Sequence, residues 1–188
     1  MGCGILAGGK SSRMGKEKAL LPFRESTFLD TICTVLEDTG LFDEKIISSS
    51  GNFIPMKAGW IPVRDCFQGK GPIGGMHAVL KESKMEAVFF TSCDMPFLEK
   101  NFVANLCGEW KENLEGVAVI TKEGRKHPLC GIYRTSLLPK IEDAILAEDY
   151  RLLNVLDSCK IKWLSLSRQE EIFVTNINTP KEYREIKQ

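Results

Sequence analysis

Short apolar runs alternate with stretches of helical spacing along most of this sequence. Apolar runs with the length of buried strands lie at residues 2–7, 45–49, 60–64, 86–91, 117–120, 131–134 and 161–166. Stretches with apolar residues at helical spacing lie at 28–36, 73–84, 99–111, 138–145 and 180–186. This alternation predicts an α/β fold with a mainly parallel sheet that is flanked by helices. Because no Pro- or Ser-rich linker separates the elements, they predict a single domain over residues 1–188.

The charge balance and the cysteine content argue against several classes of protein. The chain has 25 basic and 25 acidic residues, and this balance argues against a nucleic-acid coat or a membrane-surface protein. No apolar run approaches the roughly 20 residues that a membrane helix needs. The seven cysteines include no CxxC pair, which argues against a zinc site. Free thiols without an export signal predict a cytoplasmic protein.

The first apolar run leads directly into the basic segment LAGGKSSRMGKEK, residues 6–18. Gly8 and Gly9 let the backbone turn tightly and approach a ligand, because no Cβ atom is in the way. Arg13 and Lys18 add a guanidinium fork and a mobile ammonium, both of which bind phosphate oxygens. The order of residues is not that of a Walker A loop or of a dinucleotide-binding loop. The segment predicts an anion-binding loop, and the alternative is an exposed basic loop without a ligand.

Two acidic residues follow later strands of the predicted sheet. Asp65 precedes the glycine-rich segment 66–75, which leads into a helix and could wall a base or a ribose; the alternative is a surface turn. Asp94, in TSCDMP, follows the apolar AVFF strand. A lone carboxylate beside bound phosphates is a typical Mg²⁺ ligand, and the alternative for Asp94 is a helix cap. Because ligands of such sheets bind beyond the carboxyl ends of the strands, both carboxylates are candidate site residues.

The C-terminal half adds two asparagines and a histidine. The segment FVTNINTP, residues 173–180, predicts the end of a strand in which Asn176 and Asn178 point to the same side. These two amides could contact a polar ligand. His127, in RKHPLCGIYR, could line a substrate pocket or be structural, and the sequence leaves both open.

Together these segments resemble the molybdenum cofactor guanylyltransferases. LAGGKSSRMGKEKALL, D-x-x-x-x-x-G-P-I-G-G, CDMP, HPLCGIYR and NINTP occur here in that family's order, from Leu6 to Pro180. The first segment is shared with many nucleotidyltransferases, whereas the whole set is far more specific. The resemblance implies a single Rossmann-like nucleotidyltransferase domain. It also implies an enzyme that transfers GMP from GTP to the terminal phosphate of molybdenum-molybdopterin, with release of pyrophosphate.

The resemblance further implies roles for individual residues. The implied GTP-binding residues are Leu6, Ala7, Gly8, Gly9, Lys18, Asp65 and Asp94. Arg13, Lys18 and Asp94 are the implied catalytic residues, and Asp94 is the implied ligand of the Mg²⁺ cofactor. Asn176 and Asn178 are implied on the pterin side. The implied partners are GTP and molybdenum-molybdopterin, with other cofactor-biosynthesis proteins and acceptor molybdoenzymes beside them, but neither nucleic acid nor a membrane.

One segment departs from the family's pattern, and two rival functions stay open. Family members often carry an asparagine in the loop after the third strand; this chain reads ISSSGN there, so Asn52 or a serine could take that contact, or it is lost. A cytidylyltransferase acting on the same cofactor with CTP would share the first loop, but tends to carry acidic residues at the positions of Asn176 and Asn178. A non-catalytic nucleotide-binding accessory protein would also keep the first loop, but could dispense with Asp94.

Overall fold

The computed structural model describes residues 1–8, 18–50 and 56–186. Its strands are β1 (Gly2–Leu6), β2 (Pro22–Phe23), β3 (Ser26–Thr27), β4 (Glu44–Ser49), β5 (Ile61–Arg64), β6 (Ala87–Ser92), β7 (Gly116–Ile120), β8 (Lys126–Arg134) and β9 (Ile161–Ser165). Its α-helices are α1 (Phe28–Asp38), α2 (Pro72–Glu82), α3 (Lys100–Gly108), α4 (Leu138–Leu146), α5 (Leu152–Asp157) and α6 (Pro180–Glu185). Short 3₁₀ helices lie at Lys18–Leu20, Thr135–Leu137 and Glu170–Val174.

Seven strands form one sheet in the order β5-β4-β1-β6-β8-β7-β9, and β2 pairs with β3 in a separate ribbon. Neighbours in the sheet are parallel except where β8 is involved, since β8 runs antiparallel to both β6 and β7. β1 and β6 are buried along their whole length, as expected for parallel strands that are covered on both faces. The predicted α/β fold with a mainly parallel sheet is confirmed.

Helices cover both faces of the sheet. α1 and α3 pack in one apolar cluster with Phe89, whereas α2, α4 and α5 pack in another with Phe90. Because successive residues of a strand point to opposite faces, β6 contributes to both clusters. A smaller third cluster joins the ribbon and the start of α1 to the segment before α6; its buried members are Leu21, Phe23, Phe28 and Ile177. The C-terminal segment is thereby fastened next to the 3₁₀ turn that begins at Lys18.

The strand predicted at 131–134 is longer in the structure and begins at Lys126. A proline inside a run normally argues against a central strand, and Pro128 lies within this one. The pairing of β7 with β8 is irregular there: Ala118 faces Gly131, but Val119 faces His127. The residues between these positions on β8 bulge out of the ladder, and this irregularity accommodates the proline.

The prediction of a strand that ends at Asn176 and Asn178 is wrong. Residues 170–174 form a 3₁₀ helix, and the chain from Thr175 to the start of α6 has no regular structure. The backbone N–H of Thr175 donates to the carbonyl of Ile172, which turns the chain instead of extending it along a neighbour. Helix α5 was not predicted, although its buried residues have helical spacing. In the described part of the chain, no helix combines the length and the apolar character that crossing a bilayer requires.

Candidate nucleotide site

A cavity of about 460 Å³ opens at the carboxyl edge of the parallel strands. Its walls come from the loops that follow β1, β4, β5 and β6, from β8, and from the segment before α6. Four of the predicted polar site residues line it: Lys18, Asp94, Asn176 and Asn178. Both its place in the fold and its volume are typical of small-ligand sites in α/β proteins.

The carboxylate of Asp94 is the centre of a hydrogen-bonded cluster in this cavity. Ser92 Oγ donates to Asp94 Oδ1 at 2.6 Å, and Asn176 Nδ2 donates to the same oxygen at 3.1 Å. Lys18 Nζ donates to the other oxygen, Oδ2, at 3.3 Å. Asp94 is buried, so these three donors fix its orientation. The helix-cap alternative is excluded, because the residue that caps α3 is Glu99.

The ammonium of Lys18 lies between a carboxylate and an amide. Besides Asp94 Oδ2, Lys18 Nζ donates to Asn178 Oδ1 at 2.7 Å. The lysine side chain stays 20% exposed, and it lines the cavity. A partly desolvated ammonium at a cavity wall attracts anions more strongly than one in bulk water.

The loop after β1 approaches the loop after β4 through a glycine. A Cβ atom on Gly8 would lie only 2.6 Å from the backbone nitrogen of Ser50 and 2.6 Å from its Oγ. Both residues line the cavity. A side chain at position 8 would therefore push apart the two loops that form this wall.

The backbone groups of the two residues before Gly8 make hydrogen bonds to neighbouring strands. The backbone N–H of Ala7 donates to the carbonyl of Ser48 at 2.8 Å, and the carbonyl of Leu6 accepts from the N–H of Cys93 at 3.1 Å. Ala7 lines the cavity, whereas Leu6 is buried in the core. These bonds hold the carboxyl ends of β1, β4 and β6 together at the cavity.

Asp65 is buried behind the start of α2 and does not belong to the cavity wall. A Cβ atom on Gly75 would lie 2.7 Å from Ser48 Oγ and 3.6 Å from Asp65 Oδ1, so both side chains pack against this glycine. Among the described residues, neither Ser48 Oγ nor Asp65 Oδ1 has a hydrogen-bond partner. Burial raises the pKa of Asp65 to about 6, and the nearby Ser48 hydroxyl opposes that shift. The structure thus does not bring Asp65 together with Lys18 and Asp94.

Two smaller cavities adjoin the first one. They have volumes of about 250 and about 430 Å³, and both are lined by Arg125, His127 and Asn176. Leu129 and Leu152 give the former an apolar wall. Burial, assisted by the charge of Arg125, lowers the pKa of His127, so its ring is neutral at neutral pH. His127 therefore occupies a pocket wall, one of the two alternatives that its sequence left open.

Ser50, one of the serines that the segment ISSSGN left open, lines the cavity after β4. Two polar residues of the site were not named from the sequence, Ser92 and Arg125. Ser92 lines the cavity at the end of β6, where the rule on carboxyl ends could have found it. Arg125 lies directly before β8 and had no such signal, because the antiparallel direction of that strand is not readable from the sequence. Of the predicted residues, Gly9, Arg13 and Asn52 lie outside the part of the chain that the structure describes.

The carboxylate of Asp94 is a suitable ligand for Mg²⁺. Within residues 1–8, 18–50 and 56–186, no three His, Cys, Asp or Glu side chains come together to hold a metal by themselves. Mg²⁺ usually binds one or two carboxylates and completes its shell with phosphate oxygens and water. Asp94 in the cavity offers one carboxylate, so a metal here would depend on a phosphate ligand.

Comparisons with known proteins agree in sequence and in fold. The family model for the MobA-like NTP transferase domain matches residues 3–163. Two relatives bear the name "Probable molybdenum cofactor guanylyltransferase". The one from Flavobacterium johnsoniae is 33% identical and covers 97% of this chain and 94% of its own length. The one from Carboxydothermus hydrogenoformans is 31% identical and covers 97% of this chain and 92% of its own length. The solved structure of molybdopterin-guanine dinucleotide biosynthesis protein A from Archaeoglobus fulgidus shares the fold, with a TM-score of 0.78, 22% identity, and coverage of 99% of this chain and 96% of that one. This chain belongs to the family of MobA-like NTP transferase domains.

Proposed function

We propose that this protein transfers GMP from GTP to the terminal phosphate of molybdenum-molybdopterin and so forms the molybdopterin guanine dinucleotide cofactor. An oxygen of the acceptor phosphate forms a bond to the α-phosphorus of GTP, and the bond from that phosphorus to the leaving pyrophosphate breaks. The observation that carries the proposal is the cluster of Lys18, Asp94, Asn176 and Asn178 on one cavity wall. The names of the two relatives, each above 30% identity over nearly the whole chain, supply the substrates.

This reaction needs no nucleophilic side chain. The acceptor phosphate is already anionic near neutral pH, so the main task is to align two polyanions and to neutralise their repulsion. Lys18, partly exposed at the cavity wall, is the described cation that would contact the triphosphate, and Arg13 would add a second positive charge. Because Gly8 has no side chain, its backbone would be open to the phosphates.

Asp94 would hold Mg²⁺ in this site. When bound there, the metal supplies charge neutralisation on the phosphate oxygens and fixes their orientation. Ser92 and Asn176 both donate to Oδ1 of the carboxylate, so Oδ2, which faces Lys18, is the oxygen that would take part.

The adjoining cavities would receive the acceptor. Apolar Leu129 and Leu152 suit the faces of a flat pterin ring, and the guanidinium of Arg125 suits an anionic substituent on it. The neutral ring of His127 can accept or donate a hydrogen bond there.

Two alternatives make different predictions. CTP would replace GTP in a cytidylyltransferase, but the amides at Asn176 and Asn178, where such proteins tend to carry acidic residues, favour GTP. An accessory protein would bind the nucleotide without turnover, but the pairing of Lys18 with Asp94 inside the cavity favours an enzyme. We also propose a cytoplasmic location, because all seven cysteines are free thiols.

The first test is thermal stabilisation of the purified protein by GTP, CTP, ATP and UTP, each with and without Mg²⁺. A nucleotide at about 100 times its dissociation constant should add about 2.7 kcal/mol to the free energy of unfolding. Selective stabilisation by GTP with Mg²⁺, followed by pyrophosphate release on addition of molybdenum-molybdopterin, is the expected result. A shift with CTP alone would favour the cytidylyltransferase, and binding without turnover would favour the accessory protein.

A further inference from the structure

We propose that Asn176 and Asn178 are positioning residues for the nucleotide side of the site, which differs from the pterin-side role that the resemblance implies. Asn176 orients the carboxylate of Asp94, and Asn178 holds the ammonium of Lys18. This inference rests on the proposed function, because it assigns both asparagines to the binding of GTP with its metal.

The chemistry of the partners determines what each amide contributes. A carboxylate accepts hydrogen bonds and an ammonium donates them, so Asn176 must present its NH₂ group to Asp94, and Asn178 must present its oxygen to Lys18. The two amides therefore have opposite tasks although they are only one residue apart. Amides whose only task is to bind a pterin would not need one donor to Asp94 and one acceptor from Lys18.

Asn176 decides which oxygen of Asp94 faces a cation. Together with Ser92 it occupies Oδ1, at 3.1 and 2.6 Å, and Oδ2 is left toward Lys18. Without Asn176 the carboxylate would keep one donor on Oδ1 and could rotate. The oxygen that meets the metal would then no longer be fixed.

Asn178 keeps Lys18 at the cavity when Asp94 takes another partner. The distance from Lys18 Nζ to Asn178 Oδ1 is 2.7 Å, shorter than the 3.3 Å to Asp94 Oδ2. A cation that replaces Lys18 on Oδ2 leaves the ammonium with the amide, and the N–H group that had donated to Asp94 can then donate to a phosphate oxygen. Asn178 would thus keep the Lys18 ammonium in the site, apart from the cation that binds Asp94.

The residue between the two asparagines anchors them. Ile177 is 3% exposed and packs with Leu21 and Phe28, close in sequence to Lys18. Its backbone N–H donates to the carbonyl of Asp94 at 2.9 Å. Beyond it, Thr179 caps α6 in a capping box. The segment is held at Ile177 and at Thr179, so the two amides are presented at fixed places.

The test is calorimetric titration of the pterin-free protein with GTP at several Mg²⁺ concentrations, for Ala and Asp variants at both positions. Asn178→Asp keeps an oxygen for Lys18, whereas Asn176→Asp removes the donor and sets a second negative charge against Asp94. Loss of a hydrogen bond to a charged group should weaken GTP binding about tenfold or more in Asn176→Ala, Asn176→Asp and Asn178→Ala. Asn178→Asp should stay within about threefold of the unmodified protein.

The matched control is Asn154 on α5, whose Nδ2 donates to Asp149 Oδ2 at 2.8 Å outside the three cavities. Its Ala and Asp variants should bind GTP as the unmodified protein does. Unfolding midpoints of all variants are measured. The difference in GTP affinity between Asn176→Asp and Asn178→Asp tests the inference even if an Ala variant folds poorly.

Three results would overturn the inference in distinguishable ways. Unchanged GTP binding in all four variants, with a raised KM for molybdopterin, would return the asparagines to the pterin side. Equal effects of the two Asp variants would exclude the division of tasks. Absence of GTP binding in the unmodified protein would overturn the proposed function itself, and this inference with it.

Discussion

The two halves of the sheet bring site residues to the same edge, where the nucleotide cavity and its two neighbours open, but they do so from opposite ends of a strand. In the parallel half, β5-β4-β1-β6, site residues come where a strand has ended: Gly8 after β1, Ser50 after β4 and Asp94 after β6. In the other half, β8 runs antiparallel, so its beginning lies at that edge and brings Arg125 and His127. The direction of a strand therefore decides which of its flanks should be searched for function.

The two contributions also differ in chemistry. The parallel half supplies paired charge, with Lys18 and Asp94 held by hydrogen bonds. The β7–β8 hairpin supplies a neutral His127 and the cation of Arg125 beside apolar Leu129. We expect the parallel half to bind the triphosphate and the β7–β8 hairpin to bind the acceptor. Variants of the two regions can test this assignment.

The largest effect is expected at Asp94. Asp94→Asn keeps the shape of the side chain but removes the charge that would hold Mg²⁺, so turnover should fall by at least about a hundredfold. The measurement is pyrophosphate release with saturating substrates, and the unfolding midpoint should change little. Asp43→Asn, which alters an exposed carboxylate paired with the N-terminus, is the control. Near-normal turnover of Asp94→Asn in saturating Mg²⁺ would refute the metal assignment.

A smaller effect is expected from Gly8→Ala. The new Cβ atom would lie 2.6 Å from the backbone of Ser50, and such overpacking destabilises a protein by about 1–3 kcal/mol. We expect chemical denaturation to show this loss and calorimetry to show weaker GTP binding. Gly108→Ala is the matched control: at the end of α3, no atom of a neighbouring element in residues 1–8, 18–50 and 56–186 lies within 4 Å of the added Cβ. Wild-type GTP affinity in Gly8→Ala would show that the contact between the two loops does not shape the nucleotide cavity.

The hairpin half is tested by Arg125→Ala. Loss of the guanidinium should raise the KM for molybdenum-molybdopterin about tenfold. The GTP affinity should stay unchanged, because Arg125 does not line the nucleotide cavity. Arg168→Ala removes an exposed arginine after β9 and serves as control. If GTP affinity falls in Arg125→Ala instead, the assignment of the two halves to two substrates is wrong.

The smallest effect is a pH dependence from Asp65. Its pKa is raised by burial from 3.8 to about 6, so between these values the folded protein retains a proton that the unfolded chain has lost. Stability therefore falls as pH rises through this window, and Asp65→Asn should remove that fall. At pH 7 the variant should be more stable than the unmodified protein by on the order of 2 kcal/mol, and near pH 4 the difference should vanish.

Denaturation series at several pH values measure this difference. A constant difference between the two proteins from pH 4 to pH 7 would mean that Asp65 does not titrate in the raised range. The same variant shows whether Asp65 serves the nucleotide, since GTP affinity should then fall although stability rises.

The sequence predicted the parallel half well, and for a physical reason. β1 and β6 are buried throughout, so their apolar runs were visible without knowledge of their partners. Asp94 was therefore placed correctly at the end of a strand. The hairpin half was less predictable, because Pro128 interrupts β8 and is accommodated only by an irregularity in its pairing with β7.

Side-chain partners could not be predicted from the sequence. That Lys18 meets Asn178 depends on Ile177 packing against residues that are distant in the chain. The burial of Asp65 likewise depends on how closely Gly75 lets α2 approach β4. Such contacts are properties of the assembled core, and no local pattern encodes them.

The anchoring of Ile177 links the site to the order in which the chain is synthesised. The loop after β1 leaves the ribosome early, whereas Asn176 and Asn178 leave it after every strand of the sheet. Until Ile177 packs beside Phe28, Lys18 and Asp94 lack the amides that hold them. A growing chain therefore forms most of the fold before the two amides complete the cluster around Lys18 and Asp94.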